Sequence, residues 1–344
     1  MTEVLGSVSL EDVARRAGVS IMTVSRAFRR PDALSEDTLS KVLKAASALG
    51  YLPNRIASGL RSRRSQTVAC VIPTISSPVY ARMVQGIADV ITADGYSLVL
   101  GTSNYAVEDE RRVMMSLLAY RPEAVILAGG DHRPELARSL AKLKAPVVEL
   151  WELVAKPLDL NVGFSNHAAG TAIVDHLMKM GSRRIAFMTV NAEHARVRAR
   201  RAAYEAAVAK VLGQAPIVIK ADLSIEGGRR AMVRLRDRYP DVDGLFCTSD
   251  SIALGAMLKA VELGWSVPDE IAIAGFGDLE FARYIPPGLT TVRVPEYRVG
   301  QVAGEMIMRR LLGRPEGART VDVGFEVVRR GSSARPEIKR ARRR

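Results

Sequence analysis

Residues 9–28 read SLEDVARRAGVSIMTVSRAF, and this stretch decides the first part of the fold. Ser9 is a good helix N-cap, with Asp12 three residues on as a capping-box variant. Val13 and Ala14 face inward, with Leu10 and Ala17 near the same stripe. Gly18 ends the helix where a left-handed backbone is needed. Ser20 caps a second helix that buries Val24 and Ala27. Ala14, Gly18 and Val24 have the steric spacing of a helix-turn-helix. The alanine lets two helices cross closely, the glycine makes the turn, and the branched residue fills the junction. The second helix of such a unit enters the DNA major groove N-terminus first, exposing Ile21, Met22, Ser25 and Arg26. Arg26 suits a bidentate contact to guanine, and Ile21 and Met22 suit apolar contacts such as thymine methyls. Ser20 and Thr23, with the helix-end amides, suit phosphates. A third helix is expected from Ser35 through Leu39, Val42, Leu43 and Ala46, stopping at Gly50. Taken alone, the motif also fits an ordinary three-helix cap.

The adjoining segment narrows the choice. Residues 51–66 read YLPNRIASGLRSRRSQ. Pro53 breaks the chain, and Asn54 caps a short helix around Arg55–Leu60. Ala57, Ser58 and Gly59 give it one very small face, which fits either a twin helix or a minor groove. Leu60 is then placed as an apolar wedge between base steps, flanked by Arg61, Arg63 and Arg64. So short a helix is unstable by itself, because nucleation is costly, which makes it a candidate order–disorder switch.

The ordered run SLEDVARRAGVS, TVSRAF and LSEDTLSKVLKAASALGYLPNRIASGLRS resembles the LacI/GalR family of bacterial repressors. The likeness continues to about Gly331. It implies a sequence-specific, double-stranded-DNA-binding regulator, acting as a homodimer on a palindromic operator and controlled by a small-molecule effector.

Charge placement agrees. The formal net charge is +13. Residues 1–64 hold 11 basic and 6 acidic residues, residues 329–344 hold 8 basic residues and Glu337, and the long middle is nearly neutral. A basic surface suits a polyanion through counterion release, although solvated basic tails are also common. The final stretch, GSSARPEIKRARRR, has no apolar heptad and is expected to be disordered. It serves nonspecific DNA affinity or simply solubility.

From Thr67 short apolar strands alternate with amphipathic helices. Strands are expected at TVACVIP, YSLVLGT, AVILAG, PVVEL, NVGFS, RIAFMTV, APIVIKA, GLFCTS and IAIAGF. Helices lie between them, as at Tyr80–Ala93, Glu108–Tyr120 and Ala168–Met180. That alternation implies two doubly wound parallel-sheet subdomains, with ligands bound at the carboxyl ends of strands. The resemblance implies a periplasmic-binding-protein-like α/β core, whose chain crosses between lobes three times. The expected organisation is residues 1–52 for the all-α helix-turn-helix headpiece and 53–66 for the hinge helix and linker. Residues 67–331 are expected to form the effector-binding and dimerisation core, and 332–344 the tail. Within the core, the first lobe takes about 67–163 and 294–320, the second about 164–293 and 321–331.

Loops after the strands supply Ser76, Tyr80, Asn166, Arg196, Arg200, Asp250 and Phe276 as effector-site candidates. Tyr80 matches an aromatic that packs on ligands in relatives, and Arg200, four residues before Tyr204, matches the family's ligand-binding arginine. The run SDSIALG (249–255) matches an Asn-Asp-x-x-Ala-x-Gly pattern with Ser249 replacing Asn. Asp250 either faces ligand or caps the next helix; Arg196 and Arg198 either bind ligand or are solvated. Many sugar-binding relatives carry Gly-[Tyr/Phe]-Asp-Asp after the IAIAG-type strand. This chain has Gly275-Phe276-Gly277-Asp278, so a sugar-binding carboxylate is missing. Arginines facing a cleft without that carboxylate favour an anion, because guanidinium binds carboxylate bidentately. VGFSNHAAG, GLFCTSDSIALGA, IAIAGFGD and VDVGFEVV most resemble the gluconate-repressor branch. The expected effector is a sugar acid such as gluconate or a ketogluconate; a phosphorylated sugar fits the same arginines.

Other classes fit less well. GFGDLE has Glu280 where a dinucleotide-binding loop needs its third glycine. There is no nucleophile elbow or phosphate loop. His132, His167, His176 and His194 lack zinc-ligand spacing. No catalysis, cofactor or metal is expected. Cys70 and Cys247 sit in apolar runs and read as buried reduced thiols. With neither a secretion signal nor a long apolar run, the chain is expected in the cytoplasm. A cytoplasmic solute-binding protein fits the core but not the helix-turn-helix.

Overall fold

The computed structural model describes residues 8–51, 65–191, 194–315 and 317–335. The chain divides into two compact units, up to Ser65 and from Gln66 onward.

The first unit holds helices α1 (Leu10–Ala17), α2 (Ile21–Arg29) and α3 (Glu36–Leu49). The capping box at Ser9 is complete, with Ser9 N–H donating to Asp12 Oδ2 (3.0 Å) and Asp12 N–H to Ser9 Oγ (3.2 Å). Gly18 lies at φ 68°, in the left-handed region that a side chain would strain. Val13, Ala14, Val24, Ala27, Val42, Ala45 and Ala46 form the small core. Leu43, expected on that stripe, is 45 % exposed. The third helix turns Ala45 and Ala46 inward beside Val42, which rotates Leu43 to the edge of the apolar face.

The second unit alternates strands and helices: β1 (Thr67–Ile72), α4 (Pro78–Ala93), β2 (Ser97–Thr102), α5 (Val107–Leu118), β3 (Ala124–Ala128), α6 (Pro134–Ala141), β4 (Val147–Leu150) and β5 (Leu160–Gly163). Then come α7 (Asn166–Lys179), β6 (Ile185–Val190), α8 (Ala195–Ala207), β7 (Ile217–Ala221), α9 (Ile225–Arg238), β8 (Gly244–Cys247), α10 (Asp250–Glu262) and β9 (Ala272–Ala274). The last elements are β10 (Thr291–Arg293), α11 (Glu296–Leu311), β11 (Thr320–Asp322) and β12 (Glu326–Val328). The first lobe's parallel sheet has the order β11-β5-β4-β3-β1-β2, and the second lobe's has β7-β6-β8-β9. Antiparallel β10 and β12 lie on the crossings between lobes. These are the expected parallel, doubly wound sheets, their central strands buried as apolar runs and the edge strands β2 and β11 partly exposed.

Two boundaries differ from expectation. Strand β11 pairs with β5, so residues 321 and 322 extend the first sheet rather than the second lobe. The tail expected to be disordered from 332 is ordered through Arg335. Ser332 Oγ donates to Ile273 O (2.6 Å), Ser333 Oγ meets His176 Nε2 (2.8 Å), and the Arg335 guanidinium bonds Pro268 O and Asp243 O. Its order comes from buried hydrogen bonds rather than apolar side chains, so hydrophobic patterning misses it.

Glycines set the closest helix contacts. A Cβ at Gly255 of α10 would meet the backbone of Ile225, and one at Gly300 of α11 would meet the backbone of Met83. Gly300→Ala should therefore destabilise the core by about 1–3 kcal/mol, the usual cost of overpacking; the urea midpoint measures it.

His132 is wedged between two carboxylates, with Nδ1 2.8 Å from Glu110 and Nε2 3.4 Å from Glu149. Burial opposes its charge, but the paired carboxylates outweigh burial and hold its pKa up to about 9. Its folded pKa lies above the unfolded value, so this stabilisation is full below about pH 6.5 and is lost as pH rises through about 9. Urea midpoints from about pH 6 to about pH 10 should fall across that window in the parent and stay flatter in His132→Gln.

Candidate functional site

Helix α2 presents one outward face in the first unit. Met22 is 70 % exposed and Ile21 44 %, with Arg26 exposed and Ser25 half-buried beside them. Ser20 Oγ accepts from Thr23 N–H (3.1 Å) and lies 2.9 Å from Thr23 Oγ1, fixing the helix start. Arg26 has no ion pair among the described residues. An arginine and two apolar side chains thus project from a short helix whose N-terminal turn is capped. Asn54, Arg55, Ala57 and Leu60 lie outside the described residues.

The second unit holds an open cleft of about 130 Å³ between its lobes. Tyr80, Arg196, Arg200 and Phe276, all expected from the sequence, line it. Arg200 is the most constrained. Its Cζ lies 3.3 Å from the Phe276 ring centroid, its Nε donates to Asn166 Oδ1 (2.9 Å), and Nη1 donates to Thr248 O (3.2 Å). Arg196 lies with Cζ 5.8 Å from the Tyr80 ring centroid. Both come from α8, four residues apart on one face. Among the described residues neither makes an ion pair with a carboxylate. Burial, with Arg196's charge beside it, pushes the Arg200 guanidinium down to about 9, so it remains charged at neutral pH.

Three expected residues sit elsewhere. Ser76 is exposed and outside the cleft lining, where its neighbour Ser77 stands instead. Asn166 is buried behind the wall, bridging Arg200 to Trp151 O (3.1 Å). Asp250 is fully buried, and both its oxygens are used: Thr291 Oγ1 donates to one (2.5 Å) and Leu279 N–H to the other (2.7 Å). It ties the loop after β9 to crossing strand β10. Ser249, not Asp250, caps α10 through Ser251 N–H. Burial raises Asp250's pKa to about 7.

Sequence reasoning missed Trp151, Leu223, Thr248 and Glu296 in the lining. Trp151 directly follows β4, where the strand-end rule could have found it. Glu296 opens α11 just beyond a crossing, with no local motif to mark it; burial raises its carboxyl pKa.

A family model for bacterial regulatory proteins of the lacI family matches residues 9–54, and one for the periplasmic binding protein-like domain matches residues 174–333. The HTH-type transcriptional regulator GntR of Escherichia coli K12 is 31 % identical over 323 residues, covering 94 % of this chain and 98 % of that one. IdnR of the same organism is 31 % identical over 321 residues, covering 93 % and 97 %. The chain belongs to the LacI family of transcriptional regulators. A crystal structure of a LacI-family regulator from Silicibacter pomeroyi superposes with a TM-score of 0.89 at 32 % identity, covering 95 % of this chain and 100 % of that one. The regulator is an effector-responsive repressor and not an enzyme. Among its described residues, no helix is long and apolar enough to cross a membrane.

Removing the Asn166 amide should loosen Arg200 without removing a cleft-lining group. Asn166→Ala is expected to weaken binding of an anionic effector about 10-fold, within the range for hydrogen bonds to charged groups. Calorimetry of effector binding checks this.

Proposed function

We propose that this repressor binds a palindromic operator as a homodimer and releases it when a sugar acid, such as gluconate or a ketogluconate, fills the cleft. The observation that carries the effector reading is the pair Arg196 and Arg200, half-buried against aromatic rings and without a carboxylate in ion-pair contact among the described residues. Buried charge is costly unless paired, and a carboxylate between the lobes would satisfy both guanidiniums. Glu152 and Glu296, acidic groups beside the same space, oppose a doubly charged phosphate and favour a singly charged acid bearing hydroxyl donors. The similarity to GntR and IdnR supports the same branch.

The dimer reading is supported by an apolar face on α10. Leu258 and Val261 are 46 % and 65 % exposed one turn apart. One helix-turn-helix makes few base contacts, so twofold symmetry on a palindrome suits it. Ile21, Met22, Ser25 and Arg26 would read bases, with Ser20 and Thr23 at the backbone. Asn54, Arg55, Ala57 and Leu60 would form the hinge, Leu60 entering the minor groove as a wedge. Closure of the cleft on the acid would disfavour the DNA-bound state.

Mobility shift of an operator fragment selected from genomic DNA tests this. Arg26→Ala should weaken operator binding by about 1–3 kcal/mol, the value of a bidentate base contact. Arg200→Ala should bind the operator normally and fail to release it in gluconate. Release of the Arg200→Ala protein at the parent's gluconate concentration would refute the site.

A further inference from the structure

The cleft does not end at the arginines. A second, smaller chamber of about 40 Å³, open to solvent, adjoins it, and both are lined by Tyr105, His194 and Arg196. The far chamber is built on strand ends of the first lobe, including Gly129 and Gly130 after β3 and Glu152 after β4. Its acids differ in what they already hold. Glu110 is taken by His132, and Asp131 accepts from Ala195 N–H (2.8 Å) and from the Arg198 guanidinium (2.7 Å). Glu152 is different: its Oε2 is buried with no hydrogen-bond partner among the described residues. The preceding residue has the complementary defect. Trp151 is 4 % exposed, and its Nε1–H also lacks an acceptor among the described residues. An orphan donor and an orphan acceptor are thus adjacent in the chain, one lining each chamber. Buried polar groups are rarely left unpaired.

The backbone holding them is fixed and strained. Trp151 lies at φ 77°, a costly conformation for a bulky side chain. Its N–H donates to Val162 O (3.0 Å), and its carbonyl accepts from Asn166, the same amide that holds Arg200. Glu152 O accepts from the fully buried Asn161 amide (2.8 Å). Gly163 leaves room for this backbone, since a Cβ there would fall on Glu152. Held strain beside unpaired polar atoms points to a binding surface rather than a packing fault.

We propose that the effector is an elongated polyhydroxy acid bound end to end, with its carboxylate on Arg196 and Arg200 and its hydroxylated tail on Trp151 Nε1 and Glu152. Trp151 donates to a tail oxygen, and Glu152 accepts from a tail hydroxyl. This rests on the sugar-acid reading and adds what selects among acids: the length and hydroxylation of the tail. A ligand so placed touches both lobes, so tail recognition and cleft closure are one event.

Calorimetry on the full-length protein tests it with D-gluconate and D-glycerate, which share the carboxylate and its neighbouring hydroxyl but differ in tail. The parent should bind gluconate at least ten-fold more tightly than glycerate. Glu152→Gln should lose most of that preference by weakening gluconate while glycerate is unchanged. Trp151→Phe, which keeps an aromatic ring and removes the N–H, should lose part of it in the same way. Unchanged glycerate affinity shows that the arginine end is intact in each variant. Equal weakening of both acids, or full preference retained in both variants, would overturn the tail site while leaving the sugar-acid reading standing. Failure of the parent to bind either acid would overturn the reading and the tail site together.

Discussion

Two guanidiniums stand half-buried in one wall of a cleft; no carboxylate of the described residues is in ion-pair contact with either, and the charge of Glu152 reaches both from further off. A charge in that position is tolerated only where the surroundings supply part of what water gave. For Arg200 they do so through the Phe276 face, the Asn166 amide and the Thr248 carbonyl. Those three fix its plane, and the Glu152 carboxylate, not in direct contact, offsets its charge only in part. On the proposed reading, an anion lying between the lobes supplies what the pair lacks. Binding energy at such a position would be coupled to lobe geometry, since a ligand can shift a conformational equilibrium only by differential interaction.

The scaffold explains why this lack is not relieved by collapse. The central strands of the parallel sheets are buried, and the helices flanking them meet through glycine contacts at Gly255 and Gly300 with no room for further approach. The crossings are pinned as well: Asp250 spends both carboxylate oxygens on the loop after β9 and on β10.

Local chemistry makes much of this legible from residues alone. Apolar runs in the sequence declare themselves, so β1 through β9 are readable even where the strand itself is short, as at β9. Strands β10, β11 and β12 are three residues each and are defined by their partners, so no local pattern marks them. The helix starts at Ser9, Ser20 and Ser35 are readable because capping involves only near neighbours. Periodicity misplaces Leu43 because it gives a stripe but not the edges of that stripe. The order of Ser332 and Ser333 is invisible in sequence because it rests on polar burial against distant segments. At the site, loops after strands and motif matching yield Tyr80, Arg196, Arg200 and Phe276. The same matching puts Asp250 among ligand contacts, whereas tertiary hydrogen bonds consume it. Glu152 has no motif at all; its standing comes from an unpaired oxygen that only coordinates reveal.

The central claim is that the arginine cleft and operator binding are energetically coupled, and thermodynamic reciprocity makes it directly measurable. The decisive measurement is calorimetric titration of D-gluconate into the full-length protein, free and saturated with its operator fragment. Coupled sites predict weaker gluconate binding to the complex, by the same factor by which saturating gluconate weakens operator binding, on the order of 5–150-fold. Equal gluconate affinity in the two titrations, with measurable binding in each, would contradict the account.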